Sequence, residues 1–351
     1  MSLLNEYRQL QAEQATIRAV DAAVKLQTTE AQLIAAQVGE GVTQLDVTQL
    51  EGILKGLKKL QHVMALTRNA QVVSEISGCY EKIYCHERNG VKTAISINPT
   101  GIDLRLFLSK WHSVFAVQTH PKYSSIQFFD KYGVAVHKVF TTEHSDIEAY
   151  QQLVNQYKAQ EQSAELTVLA PEAILNEDKP INDIDIQGFR QGWQNLQDVH
   201  HFPALLTQFA LSRTQGLEVA GEQWAQEVSP MCLTSVFETV KQQQSEIMIF
   251  VNNHAAVQIY TGRLDNLKQV GQWFNILDNG FNLHILVNQF SRAFVVKKPT
   301  DNGATEVHSI EFFDAQGSTI MTLFGRRSEG NEQSADWLAL CNSLRCEEVV
   351  A

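Results

Sequence analysis

Long apolar runs are missing from this 351-residue chain: none approaches the roughly 18 residues that span a bilayer. Its first residues, Met1-Ser2-Leu3-Leu4-Asn5-Glu6-Tyr7-Arg8, lack the basic stretch and apolar core of a signal peptide. Cysteine is scarce, with five residues at positions 79, 85, 232, 341 and 346. The number is odd and no pair is spaced C-x-x-C, so a disulfide framework, a zinc ribbon and C-x-x-C-H attachment are unsupported. These absences give the cytoplasm as the expected compartment, with no membrane insertion. Positive charge is also short: 28 Lys and Arg against 39 Asp and Glu leave a formal charge of −11. That argues against a general surface for nucleic acid or an anionic membrane, but not against a local basic pocket for a small anion. Gly-rich phosphate loops, G-x-S-x-G, H-E-x-x-H and EF-hand spacings are absent too.

What is there is an ordinary globular composition, 44% hydrophobic and 19% charged, long enough for two domains or one duplicated domain. Residues 1–66 are rich in Ala, Gln, Leu and Glu. Apolar residues recur at three- and four-residue spacing, as in Leu50, Ile53, Leu54, Leu57 and Leu60, which predicts mostly helix. From about Val72 to Phe140 short strands follow one another, among them 93–97, 102–108, 113–117, 125–129 and 134–140. Their connections are too short for crossover helices, which predicts an antiparallel meander. A helix is expected over 147–160. The acidic segment 166–188, with two prolines, is the linker candidate. Beyond it the order repeats: helices from about Phe189 to Gln244, strands from about Ile247 to Phe324, and a last helix around 335–344.

The repetition extends to residues. Phe128-Phe129-Asp130 followed by Gly133 returns 184 positions later as Phe312-Phe313-Asp314 followed by Gly317. Asn69 and Ser77-Gly78 return at the same offset as Asn253 and Thr261-Gly262, and Gly101-Ile102-Asp103-Leu104-Arg105 parallels Gly280-Phe281-Asn282-Leu283-His284 at 179. The fold class is therefore α+β, a tandem duplication of a helix-plus-antiparallel-sheet unit. Its expected parts are an N-terminal repeat over 1–165, the linker and a C-terminal repeat over 189–351. Duplication supplies an internal control, since a residue lost in one copy is not required by the fold. At these offsets His200 falls opposite Thr16, Arg213 opposite Thr29, and Arg105 opposite His284.

The stretch from Trp193 to Leu206 sets two histidines, His200 and His201, at an expected helix junction before an apolar run. Pro203 suits the first turn of a helix, and Trp193, Leu196 and Leu205 are spaced to face a core. A neutral imidazole at such an interruption is a ready ligand for iron or zinc. Neighbouring helical residues point about 100° apart, so one of the two would reach a given ion. In 102–108, the residues Asp103, Arg105 and Phe107 share the face opposite Ile102, Leu104, Leu106 and Leu108. An Arg-plus-Phe face suits a flat apolar ligand that carries a negative group; it equally describes a solvent-facing ion pair beside an exposed ring. In the half that holds His200, Arg213 follows Ser212 at an expected helix start, Lys297-Lys298 ends a strand and Arg326-Arg327 follows one. Such cations pair with carboxylates or phosphates, and together they predict a basic pocket.

Taken together, Asp198-Val199-His200, Asp103-Leu104-Arg105-Leu106-Phe107, Leu211-Ser212-Arg213, Lys298-Pro299-Thr300 and Gly325-Arg326-Arg327-Ser328-Glu329-Gly330 resemble the bacterial cytoplasmic haem-utilisation proteins of the HemS/HmuS type, the haemin-degrading factors. The likeness runs over nearly the whole chain, through Trp111-His112-Ser113-Val114-Phe115 and Val257-Gln258-Ile259-Tyr260-Thr261-Gly262. It implies two large antiparallel sheets flanked by helices, with one non-covalent haem b in a cleft. His200 is implied as the axial ligand, with His201 as an alternative one residue away. Arg105 is implied on the opposite face of the haem, with a catalytic role there. Phe107 and Phe250 line the pocket, and Arg213, Lys298 and Arg327 stand near the propionates or the haem edge. These types suit the group: imidazole for iron, aromatic walls for the porphyrin, guanidinium for carboxylate. The chain departs from its relatives at Ser74, where some carry a second histidine, and at Phe324 and Thr322, where a tyrosine and a glutamine are lost. The implied function is haem uptake and iron acquisition, by passing haem on or by degrading it with an external reductant. A haem oxygenase and an inner-membrane haem importer are the expected partners. The alternatives are a carrier with no activity of its own and a duplicated protein-interaction module that binds no haem.

Overall fold

A computed structural model describes residues 2–120, 122–171, 178–327 and 332–346. The first half of the chain forms α1 (Leu3–Glu13), α2 (Ala19–Lys25), α3 (Glu30–Ala35), β1 (Val42–Leu45), α4 (Leu50–Gly56), β2 (Gln61–Arg68), β3 (Val72–Cys79), β4 (Ile83–Arg88), β5 (Val91–Ser96), β6 (Asp103–Leu106), β7 (Trp111–Val117), β8 (Ser125–Asp130), β9 (Ala135–Ser145) and α5 (Ile147–Tyr157). The second half forms α6 (Ile186–Gln194), α7 (Phe202–Phe209), α8 (Arg213–Ala220), β10 (Ala225–Val228), α9 (Cys232–Gln242), β11 (Ile247–Asn252), β12 (Ala256–Gly262), β13 (Leu267–Val270), β14 (Trp273–Asp278), β15 (Phe281–Ile285), β16 (Arg292–Thr300), β17 (Thr305–Phe313), β18 (Thr319–Gly325) and α10 (Ala335–Cys346). Helix and strand types recur in the same order, as tandem duplication requires. The strands make two nine-stranded antiparallel sheets.

Two compact units are present. The first comprises Met1–Arg68, Ser74–Glu172 and Asn252–Gln258; the second comprises Asn69–Val73, Ala173–Val251 and Ile259–Ala351. In the first unit β1, β7, β8, β9 and β2 pair in that order, and β4, β5 and β6 form a separate meander. The second unit pairs β10, β16, β17, β18 and β11 in the same way, with β13, β14 and β15 as its meander. The repeated sequence signatures are turn chemistry. Asp130 Oδ1 accepts from the amides of Tyr132 and Val134, and Asp314 Oδ1 from those of Gln316 and Ser318. Both turns pass through a left-handed glycine, Gly133 and Gly317, each at φ 76°, where a β-carbon is disfavoured. Asn69 and Asn253 repeat the same device, each side-chain oxygen capping two following amides.

The second unit lays its first three helices over its sheet; in the first, α3 covers the sheet and α1 and α2 pack on α3 through Tyr7, Ala22, Ala23 and Leu33. In the second, Phe189, Trp193, Phe202, Leu205 and Leu206 bury against Phe294, Val296 and Phe313. In the first, Ala31, Ile34 and Ala35 bury against Phe115, Val117 and Phe129. The expected faces of Trp193, Leu196 and Leu205 are all buried. Residues 1–66 and 189–244 are less helical than their composition predicts, because β1 and β10 interrupt them. Each is four residues long, too short for alternation to register against the flanking helical periods. Strand β2 begins directly after the helical turn that ends at Leu60.

Candidate functional site

His200 lies on a single 3₁₀ turn, Val199–His201, between α6 and α7. Asp198 caps that turn, its Oδ1 accepting from the His200 amide at 2.8 Å and standing 2.6 Å from His200 Nδ1. The amide hydrogen bond, followed by the imidazole, holds the Asp198 carboxyl below the usual carboxylate range. A carboxylate only accepts, so Nδ1 is the donor, and in the neutral ring Nε2 is the nitrogen with the lone pair. The side chain is 85% exposed, and Nε2 has no hydrogen-bond partner among the described residues. This is the arrangement that orients metal-binding histidines and raises their basicity. The expected His pair is thus resolved into one imidazole held by Asp198 and a neighbour, His201, that is exposed and stands at the N-cap position of α7 without a side-chain capping bond. Asp198 was quoted in the sequence motif without a role. Its signal was its place two residues before a histidine, at the start of a turn.

Behind this turn is a buried charge cluster that the sequence did not disclose. Glu311 on β17 is fully buried and accepts from Arg213 Nε at 2.7 Å and Lys298 Nζ at 2.7 Å. Burial pushes the Glu311 carboxyl upward, but the two cations overcome it and hold the group at about 2. Burial draws the Lys298 ammonium below its ordinary value, against the pull of Glu311. Both cations also lie over the Phe202 ring, Arg213 at 5.0 Å and Lys298 at 4.8 Å from its centroid. The predicted basic pocket is therefore largely neutralised: Lys298 is buried, and Arg326 pairs with Glu246 at 2.7 Å. Among the described residues, Arg213 hydrogen-bonds through Nε, Lys297 is half-buried and Arg327 is exposed. Ser328, Glu329 and Gly330 lie outside the described residues.

Strand register places Met248 opposite Phe324, Phe250 opposite Thr322, and Glu311 opposite both Thr322 and Phe294. All therefore share one sheet face. The helices cover its β16 side, where Phe294 and Val296 are buried. On the β18–β11 side Met248, Phe250 and Phe324 stay half-buried, and the last two rings meet edge-on at 5.1 Å. Phe324, where the family tyrosine is missing, thus stands next to Phe250.

The remaining candidates belong to the first unit. Arg105 Nη1 donates to Asp103 Oδ1 at 2.5 Å, to the Leu104 carbonyl at 3.0 Å and to the Ser96 carbonyl at 3.3 Å. Burial raises the Asp103 carboxyl, and Arg105 opposes that rise. Phe107 lies one residue beyond the end of β6, which stops short of the expected 102–108 strand at a 3₁₀ turn over Leu108–Lys110, and has 37% of its surface exposed. Ser74 is buried and takes part in a closed polar network: Gln258 donates to its carbonyl and hydroxyl, Thr67 donates to Gln258, and His137 bridges Thr67 and Tyr80. The first unit also has a buried cluster of one carboxylate and two cations, with the carboxylate on the helix instead of the sheet. Glu30 opens α3 and pairs with Lys138 and with Arg68 on the sheet, the latter at 2.6 Å, whereas Arg213 opens α8 and pairs with Glu311 on the sheet. The helix caps, Thr29 and Ser212, set this correspondence. It puts Arg213 opposite Glu30, not Thr29, and His200 opposite Ile17, because one residue is gained between the helix and sheet repeats.

These features define a tandemly duplicated α+β protein in which, among the described residues, only the second copy carries an exposed, carboxylate-held imidazole on the helical layer. The chain belongs to the family of the haemin-degrading HemS.ChuX domain, which matches residues 27–157 and again 210–344. It is 33% identical over 341 residues to the hemin transport protein HmuS of Yersinia pestis, covering 96% of this chain and 95% of that protein. Among solved structures, holo-PhuS, a heme-binding protein from Pseudomonas aeruginosa, superposes with a TM-score of 0.92 at 39% identity, covering 97% of this chain and 98% of that one. ChuS, an E. coli heme oxygenase, superposes with a TM-score of 0.84 at 30% identity, covering 98% and 99%. No described helix is long and apolar enough to cross a membrane.

Proposed function

We propose that the protein binds one haem through His200 and serves haem uptake and iron acquisition in the cytoplasm. The observation that carries this is the imidazole itself: exposed, hydrogen-bonded to Asp198 through Nδ1, with Nε2 left for iron. The residues around it suit the group. Phe250 and Phe324 offer a half-buried aromatic wall in the same unit, and the Arg213 guanidinium and the exposed Arg327 suit a propionate. Lys298 is too buried for direct pairing and acts through Glu311. Bound haem supplies iron whose open coordination position can take oxygen or peroxide. On the resemblance Arg105 covers the other face of the haem. Arg105→Ala is then expected to change spin state or ring-opening rate more than affinity; a change confined to affinity places it at the propionates.

An absorption titration with haemin tests the reading: it predicts saturation at one haem per chain. Lack of stoichiometric binding would leave a duplicated interaction module. HmuS is named for hemin transport and ChuS as a heme oxygenase, so transfer and degradation both have a relative behind them. Incubating the complex with a reductant and catalase separates the two. Iron release with catalase present indicates an enzyme, whereas bleaching only without catalase indicates adventitious peroxide and a carrier. A carrier is expected to hand haem to a haem oxygenase or accept it from an inner-membrane importer.

A further inference from the structure

Two adjacent imidazoles, His200 and His201, are both exposed, and a turn free to rotate would present either to iron. The turn is not free. On its N-terminal side Trp193 Nε1 donates to the Lys297 carbonyl at 3.0 Å, and the Gln197 carbonyl accepts from the Asp301 amide at 3.1 Å. On its C-terminal side the next residue is Phe202, only 1% exposed and edge-on to Trp193 at 4.7 Å. That ring lies under both Arg213 and Lys298. Two cations can share one ring only if something holds them together, and Glu311 does so with one oxygen for each. Ser309 Oγ adds a third donor at 3.2 Å. No described bond links Glu311 to His200; the contacts that join them run through Phe202 and, by way of Lys298 at 6.0 Å from its ring, Trp193.

We propose that Glu311 is the positioning residue of this turn: by holding Arg213 and Lys298 over the Phe202 ring, it makes His200, and not His201, the ligand to iron. The proposal rests on the haem reading above. Glu311→Gln keeps the shape and removes the charge, leaving two neighbouring cations to repel each other. At least one then leaves the ring, and the turn loses its C-terminal anchor. The first unit supplies a control, because Glu30 makes the same kind of buried cluster in a copy with no histidine at the corresponding turn.

The test uses the full chain loaded with haemin, read by ferric absorption and electron paramagnetic resonance. In the wild-type background His200→Ala should change the spectrum and His201→Ala should not. In Glu311→Gln part of the His200-type spectrum should be lost to a new component, and adding His201→Ala should remove that component. A folded Glu311→Gln protein with the wild-type spectrum, indifferent to His201→Ala, overturns the proposal. Glu30→Gln should lower stability and leave the spectrum alone; a ligand exchange there as well means general loosening and also overturns it. If Glu311→Gln does not fold, Phe202→Leu removes the ring, keeps a buried apolar side chain, and is read by the same two outcomes. A wild-type spectrum that ignores His200→Ala sinks the haem reading itself, and this proposal with it.

Discussion

At the scale of single residues, the chemistry depends on which polar groups are paired and by what. Asp198 holds the His200 imidazole, so Asp198→Asn should weaken haem binding by about tenfold, the usual size for a partner behind a metal ligand. Competition against a haem-binding reference measures it; unchanged affinity removes Asp198 from the site. Glu30→Gln leaves Lys138 and Arg68 uncompensated and should cost about 3–5 kcal/mol in urea unfolding. His200 and Arg213 stand in local sequence motifs, whereas the half-buried Phe250 entered only through the family resemblance. Glu311 was not legible. Its partners stand 98 and 13 residues away, and a lone glutamate in a strand reads as a solvated surface charge. The burial of Lys298 was illegible for the same reason, because burial depends on what the fold lays over a side chain.

At the scale of elements, helix starts do the positioning. The Ser212 hydroxyl accepts from the Gln215 amide at 3.1 Å, and the first helical residue after this cap is Arg213. Ser212→Ala should cost about 1 kcal/mol, and urea midpoints at constant m-value would register it. No loss would mean that α8 is held by packing and its cation cluster alone. Strand alternation exposed the Arg105 and Phe107 face, and the meanders were legible because short loops exclude crossovers. The four-residue strands β1 and β10 were not, since each joins its sheet through pairing with β7 or β16 rather than through any pattern of its own. Copying a register by a fixed offset also misplaced Arg213 by one residue, which the helix caps corrected.

At the scale of the whole molecule, duplication built two scaffolds, and among the described residues only the second sets histidines on the turn between its first two helices. The first copy keeps its interior closed. His137 donates through Nδ1 to Thr67, which itself donates to Gln258, and accepts the Tyr80 hydroxyl at Nε2, 2.6 Å away. Burial pushes its pKa down to about 3, so the folded chain keeps this imidazole neutral while the unfolded chain takes up a proton below about pH 6.5. The folded state binds fewer protons over that window. Stability is therefore full above pH 6.5 and falls by about 1.4 kcal/mol per pH unit as the medium is acidified towards pH 3. His137→Asn should be less stable at pH 7 but should lose less between pH 7 and 5. Equal slopes for the two proteins would show that other groups set the acid limit.

The most direct measurement is of ligand identity in the second copy. Haemin titrated into the wild-type chain, His200→Ala and His201→Ala should give the same Soret band and endpoint for the first and third, and a shifted, weaker complex for the second. A His200→Ala protein that binds one haem with the wild-type spectrum, including after His201 is also removed, would contradict the account.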